Sequence, residues 1–431
     1  MRIELKKKNG GSAILVVLFV GTCLCIMVGS YLAMVRQQNL SVTRSMSWNS
    51  CIPVAEAGIE EGITHVHYTG VTNLSANGWT LQDGVYKKQR TVGTNTYAIA
   101  ITPVDPPVIT SAASVPLNGS TLKRTVRVTT RRDGLFVKAM VAKGQIDFNG
   151  NNITTDSFDS SDPAYSKAGM YDKTKNKANG DVATNSGLTN SLSVGNANII
   201  GHVATGPNGT VSIGPNGAVG DKAWQTGNFG IKPGWSSDDM NVAFPDVDTP
   251  TPAGGVWFSP TSNGKVSGQT YKYVLDSGDY TMTDLSLQSS EVLYVTGTAT
   301  LYITGSISIT GNGQIEIGNK GSLTLYMGGA SALFGGNEVV NHPGYAGNFV
   351  YLGLPTNTSL QFVGNADFTG SIYAPNADFQ LGGGGSSPYD FVGASVTSTV
   401  KMNGHFKYHY DEALGKSKWG RGYVIASWDE I

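Results

Sequence analysis

Residues 293–328 read LYVTGTATLYITGSISITGNGQIEIGNKGSLTLYMG. Val, Leu and Ile alternate with Thr, Ser, Tyr or Gln in runs of about four to six residues, and Gly-containing corners separate the runs. The density of Gly, Thr and β-branched residues excludes a helix. Two β architectures fit the pattern. In a parallel β-helix each corner passes the chain to the next face, and successive coils stack about 4.8 Å apart. In a β-sandwich the same runs pair as hairpins. The irregular spacing of the corners favours the solenoid. The chain reads as mainly β.

The same character extends outward from this stretch. From Leu135 onward short strands alternate with Gly-Asn and Pro-Asn-Gly turns, and internal echoes appear. Gly195-Asn196-Ala197-Asn198-Ile199-Ile200-Gly201-His202-Val203 has the pattern of Gly364-Asn365-Ala366-Asp367-Phe368-Thr369-Gly370-Ser371-Ile372. Residues 232–262, with Pro233, Pro245, Pro250, Pro252 and Pro260, read as a loop or insertion that interrupts the coils. Residues 135–431 are therefore expected to form a β-helix-like domain. Before it, residues 69–134 form a smaller β unit, in which Tyr97–Ile101 and Thr125–Thr129 alternate. Lys87, Lys88, Arg90, Lys123, Arg124, Arg127, Arg131 and Arg132 make this the most basic region. No aromatic residues interleave them as a stacking platform, so outward-facing strand positions are the expectation and nucleic acid is not an expected partner.

The N-terminal end is of another kind. Ala13 to Val35 carries no charged side chain. As a helix at about 1.5 Å per residue it reaches roughly 35 Å, enough to cross a bilayer. Arg2, Lys6, Lys7 and Lys8 precede it, which predicts a cytoplasmic N-terminus, a single pass of the inner membrane and an extracytoplasmic bulk. Residues 36–68 read as a continuing amphipathic helix with Leu40, Met46, Ile52, Ile59 and Ile63 as its apolar stripe and Pro53 as a kink. Glu56, Glu60 and Glu61 fall nearer the polar side.

Lys6-Lys7-Lys8-Asn9-Gly10-Gly11-Ser12-Ala13-Ile14-Leu15-Val16-Val17, with Ala55-Glu56-Ala57-Gly58-Ile59-Glu60-Glu61, resembles the N-terminal domain of PilX-type minor pilins, within the type IV pilin and type II pseudopilin family. The resemblance covers about the first 65 residues. It implies residues 1–11 as a cytoplasmic leader, cleavage by prepilin peptidase between Gly11 and Ser12, methylation of the new N-terminus, and residues 12–68 as the retained helix. Major pilins carry Glu at the fifth mature position, where it neutralises a neighbour's terminal amine. Here that position is Val16, which cannot do so, and the resemblance narrows to a minor, priming, tip or unpolymerised subunit. At the other end, Ile372-Tyr373-Ala374-Pro375-Asn376-Ala377 and His409-Tyr410-Asp411-Glu412-Ala413-Leu414 resemble a β-solenoid-like C-terminal domain of PilX-like proteins that has no assigned activity.

Composition agrees with a secreted β protein. Of 431 residues, 14% are charged and 56 are Gly, where average usage gives about a quarter and about thirty. The net charge of −1 provides no global field for nucleic acid. The three cysteines, Cys23, Cys25 and Cys51, draw no disulfide framework; Cys51 is expected as a buried thiol. No nucleophile elbow, His-Glu-x-x-His, paired Cys-x-x-Cys or phosphate loop occurs, so the chain is not read as an enzyme and no cofactor or metal is assigned. His405, His409 and Asp411 share a strand face in a metal-like spacing, but Lys407 lies between the histidines, which points instead to a closing strand. The function expected is a structural pilin-like subunit that works with other such subunits and displays a solenoid for assembly, adhesion or surface contact. The alternative is a membrane-anchored glycan-binding or glycan-degrading β-helix. That reading expects aligned carboxylates, drawn from Asp147, Asp156, Asp159 and Asp162 or from Asp238, Asp239, Asp246 and Asp248, beside exposed Trp224, Trp235 and Trp257.

Overall fold

The alternation in 293–328 sends every second side chain inward. Leu293, Val295, Leu301, Ile303, Ile307, Ile309, Ile315, Ile317, Leu323, Leu325 and Met327 are all buried. The strands carrying them are Val292–Val295, Thr298–Ile303, Ile307–Ile309, Gln314–Ile317 and Ser322–Met327. They do not pair with their neighbours in sequence. Each pairs in parallel with a strand one circuit later: Gly278 faces Ala299, Thr298 faces Ser322 and Leu323 faces Phe349, steps of 21, 24 and 26 residues. Hairpin pairing, which a sandwich requires, joins only Thr261–Val266 to Gln269–Leu275 in this part of the chain, among the described residues.

This computed structural model describes residues 11–71, 73–150, 152–335, 337, 339–364, 366–383, 388–416 and 420–431. They fall into two compact units, one running up to Arg132 together with Gly422–Ile431, the other comprising Asp133–Arg421. The first unit contains helix α1 (Gly11–Thr69) and an antiparallel sheet of β1 (Thr80–Gln82), β2 (Val85–Val92), β3 (Asn95–Thr102), β4 (Val108–Leu117) and β5 (Ser120–Gly134). The last strand of the chain, Gly420–Glu430, completes that sheet beside β5. The sequence reading assigned these final residues to the coil domain. They return to the first sheet because Arg124 pairs with Glu430 (2.6 Å), Thr129 bonds Ser427, and Tyr423 donates to Asp105.

In the second unit β6 (Met140–Ala142), β7 (Ile146–Phe148) and β8 (Thr154–Phe158) form a first coil, one strand on each of three faces. This coil does not lie at an end of the stack. β6 and β7 pair with Tyr389–Met402, and β8 pairs with Phe406–Asp411, so the first coil stacks on the last. On the β6 face the order from one end is Gly278–Met282, Thr298–Ile303, Ser322–Met327 and Phe349–Gly353, then parts of Phe368–Leu381 and Tyr389–Met402. Beyond these come β6, Val182–Thr184, Val203–Ala204 and Ser236–Ser237. The chain thus enters mid-stack, coils out to one end, and restarts at the other end to coil back.

The Pro-rich stretch is what joins the two ends. Its backbone meets the stack coil by coil: Met240 N–H donates to Thr205 O, Asn185 bonds both backbone groups of Val242, Tyr373 donates to Pro245 O, and Phe258 N–H reaches Asp279 O. Val242, Phe244 and Val247 pack on the core. Repeated prolines suit this task, since an extended strap needs few backbone donors. Inside the stack an aromatic column crosses the coils, with Phe334 on Phe362 at 4.7 Å, Phe368 on Phe391 at 4.6 Å and Phe391 on Tyr408 at 4.3 Å. At the corners backbones meet directly. A Cβ at Gly393, where φ is +146°, would strike the carbonyl of Gly370 one coil away. The two sequence echoes occupy equivalent places: each carries the chain from the β8 face to the β6 face, with Ile199 and Phe368 buried before the corner and Val203 and Ile372 after it.

Candidate functional site

α1 divides into two halves with different surroundings in its own unit. From Ala13 to Met46 its apolar side chains are almost all exposed, Val16 at 59%, and it is long and apolar enough to cross a membrane. From Cys51 onward it sits on the sheet and buries Cys51, Ala55 and Ile59, one side chain per turn, and Val66 two turns further on. The helix runs unbroken through Pro53. The apolar stripe expected from the sequence is only partly the seat. Ile59 is buried, but Leu40 and Met46 are exposed. Small residues set the contact instead. Gly58 faces Ser111 and Gly62 faces Ile109, both on β4, so closely that a Cβ at Gly62 would be 3.0 Å from Ile109 Cγ2 and one at Gly58 would strike the Ser111 hydroxyl.

Glu61, expected nearer the polar side, is turned into this seat with its side chain 10% exposed. Lys88 Nζ and Arg90 Nε form ion pairs with its Oε1 at 3.0 and 2.9 Å, and the Tyr97 hydroxyl donates to its Oε2 at 2.8 Å. Burial pushes its carboxyl up, but the Lys88 and Tyr97 hydrogen bonds and the Lys88 and Arg90 charges outweigh it, and the group lies below the usual range. His65, one turn on, accepts from Trp79 Nε1 at 2.8 Å; burial and the Lys88 charge lower its value. The basic region is thereby divided. Lys88 and Arg90 serve Glu61, Arg124 and Arg132 pair with Glu430 and Asp105, and Lys87, Lys123, Arg127 and Arg131 point outward from the sheet. Cys51 is buried, as expected, and burial raises its thiol pKa. Gly11 and Ser12 begin α1, while Lys6, Lys7 and Lys8 lie outside the described residues.

The second unit holds one dense polar cluster. His409 lies on the outward side of its strand, opposite the buried Phe406, Tyr408 and Tyr410, yet is only 3% exposed. Its Nδ1 is 2.6 Å from Asp156 on β8, its Nε2 is 3.5 Å from Asp390, and Tyr171 stacks on the ring at 3.6 Å. Asp411 is buried too, and burial raises its carboxyl. His405 lies elsewhere, 3.3 Å from Asn152. No three His, Cys, Asp or Glu side chains converge to hold a metal among the described residues.

A family model described as "Domain of unknown function (DUF7305)" matches residues 258–417, which run from the end of the strap to just past the last coil. No curated protein gives a match. Among solved structures the chain is similar to the competence-associated pilin ComZ from Thermus thermophilus, at 10% identity and a TM-score of 0.22, over 89% of this chain and 97% of that one. A likeness at that score adds nothing to what the chain's own geometry says.

The side chains that a glycan site would use do not assemble. Trp224 and Trp235 sit at the end of the stack near Ser236–Ser237, where Trp235 stacks on His202 at 4.2 Å, whereas Trp257 lies at the opposite end beside Tyr302. Asp156 is committed to His409, and Asp159 and Asp162 cap the backbone of residues 161 and 164. Sequence reasoning missed Glu61 and the His409–Asp156 pair. Glu61 carried a usable signal, the alternate cations Lys88 and Arg90 on one strand face. The histidine carried none, since its partner is 253 residues away.

Proposed function

We propose that this chain is a pilin-like structural subunit of the minor type, anchored in the inner membrane by residues 13–35 and displaying the coil domain as an extracytoplasmic solenoid. The observation that supports this most is α1 itself. One helix leaves a long stretch bare, uncharged from Ala13 to Val35, and seats its later part on an antiparallel sheet through Gly58 and Gly62. A bare apolar surface of that length is tolerable only in lipid or against other apolar helices. The coil domain enters the chain after β5 and leaves before the last strand of the same sheet, so it is carried as an insertion in the small unit. On this reading prepilin peptidase recognises Lys6, Lys7, Lys8 and Gly11, cuts before Ser12, and other pilin-like subunits pack against the exposed half of α1. Val16 withholds the acid that would pair with a neighbour's amine, which suits a subunit present in few copies.

The test is photo-crosslinking in cells from a reactive residue placed at Val20 or Leu24, with membrane fractionation. The chain is expected in the membrane fraction, with a crosslink to a second pilin-like subunit; deleting residues 13–35 should release it to the soluble fraction. Crosslinks to lipid alone would leave an anchor but remove the subunit role.

A further inference from the structure

The sheet of the first unit has two sides, and α1 covers one of them. Tyr97, Ile99, Ile101, Ile109 and Ser111 lie on the helix side, and the residues that alternate with them face away from it. Across this second side Lys87, Ala100, Thr110 and Arg127 stand in one row, and Gln89, Ala98, Ala112 and Thr125 in the next. β3 and β4 thus place short side chains between two walls, Lys87 with Gln89 on β2 and Lys123 with Arg127 on β5. The hollow against the β2 wall alone measures about 600 Å³. The walls are three strand spacings apart, about 14 Å, which admits a helix about 10–12 Å across. Lys123 and Arg127 are exposed and form no ion pair among the described residues. Two acids stand at the rim: Asp83, 3.9 Å from Lys87 in the turn before β2, and Asp429 on the edge strand.

The outer side of α1 carries the opposite charge at the same level. Glu56 and Glu60, one turn apart, are exposed and enter no ion pair among the described residues. Gly58, between them, lies against Tyr97 and Ser111. The chain neighbours of those two, Ala98 and Ala112, floor the trough on the far side of the sheet. The unit is therefore acidic in front and basic behind at one height. On the reading proposed above, residues 13–35 hold every copy in one membrane, so adjacent copies present these surfaces to each other at matching levels. We propose that the trough receives α1 of a second copy of this chain, whose Glu56 and Glu60 meet the cations of its walls. The two partners use different surfaces, so each contact leaves one trough and one helix face free, and a pair can continue as a row. The contact supplies outside the membrane a charge pairing that Val16 does not supply within it.

The test uses the full-length chain in cell membranes, with two differently tagged copies expressed together and a photoreactive residue at Gln89 of one. The expected crosslink joins position 89 of that copy to residues 53–64 of the other. Reversing the wall charges, Lys87→Glu with Arg127→Glu, should lower its yield about tenfold or more, and so should Glu56→Lys with Glu60→Lys. All four positions are exposed, so these changes leave the seat of α1 intact. Pairing a wall-reversed copy that carries the photoreactive residue with a helix-reversed copy should restore the crosslink, which damage to the fold by either pair of changes could not do. Fractionation of the same cells separates this contact from the reading beneath it. A membrane-bound chain that gives no copy-to-copy crosslink at position 89, that captures only a different protein there, or whose yield ignores the charge reversals would overturn the contact and leave the anchor standing. A chain found in the soluble fraction would overturn the anchor and this contact with it.

Discussion

Glu61 shows how one residue can escape its sequence pattern. Its place on the helix suggested solvent, yet three donors from β2 and β3 meet it in the seat. A carboxylate taken out of water is retained only when such partners replace its hydration. Glu61→Gln keeps the shape and removes the charge, leaving Lys88 and Arg90 opposed to a neutral amide. It should cost about 1–3 kcal/mol near neutral pH. Because the folded carboxyl titrates below its usual range, the stability it supplies is present above the unfolded value and lost as pH falls through the folded one. Thermal unfolding of the detergent-solubilised chain should therefore show the gap between the two proteins closing in acid. A gap of constant size across that range would mean that the ionised carboxylate is not what the seat uses.

Among elements, legibility followed the kind of signal. The strands of 293–328 were readable because apolar side chains alternate there without exception and the corners carry Gly. The start of α1 was readable because Ala13 to Val35 holds no charge. Its seat was not, because Cys51, Ala55, Gly58 and Gly62 are too small to register as an apolar stripe; what buries them is close approach, not bulk. Gly58→Val would put a branched side chain into Ser111 and force the helix off β4. A loss of about 1–3 kcal/mol is expected, visible as earlier unfolding of the first unit, whereas Gly21→Val, with open space around it, should be nearly silent. Equal effects at the two positions would show that the seat is not set by contact distance.

For the molecule as a whole, the coil character from Leu135 onward was legible and the path was not. Pairing of residue 140 with residue 395, or 156 with 409, leaves no local trace in a sequence, and a proline-rich linker reads the same whether it loops out or lies along a stack. That path has a mechanical consequence. The seam between β6–β8 and the last coils holds the two halves together independently of the strap, so a protease site placed at Thr251 and cut in the folded protein should leave both pieces associated. Separation without denaturant would contradict the seam. The functional account rests on the other end of the chain, where α1 is proposed to be a processed pilin-like anchor. The most direct measurement is the N-terminal mass of the protein extracted from membranes. The account predicts a chain beginning at Ser12 with a methylated amine; an intact Met1, or a start beyond residue 30, would contradict it.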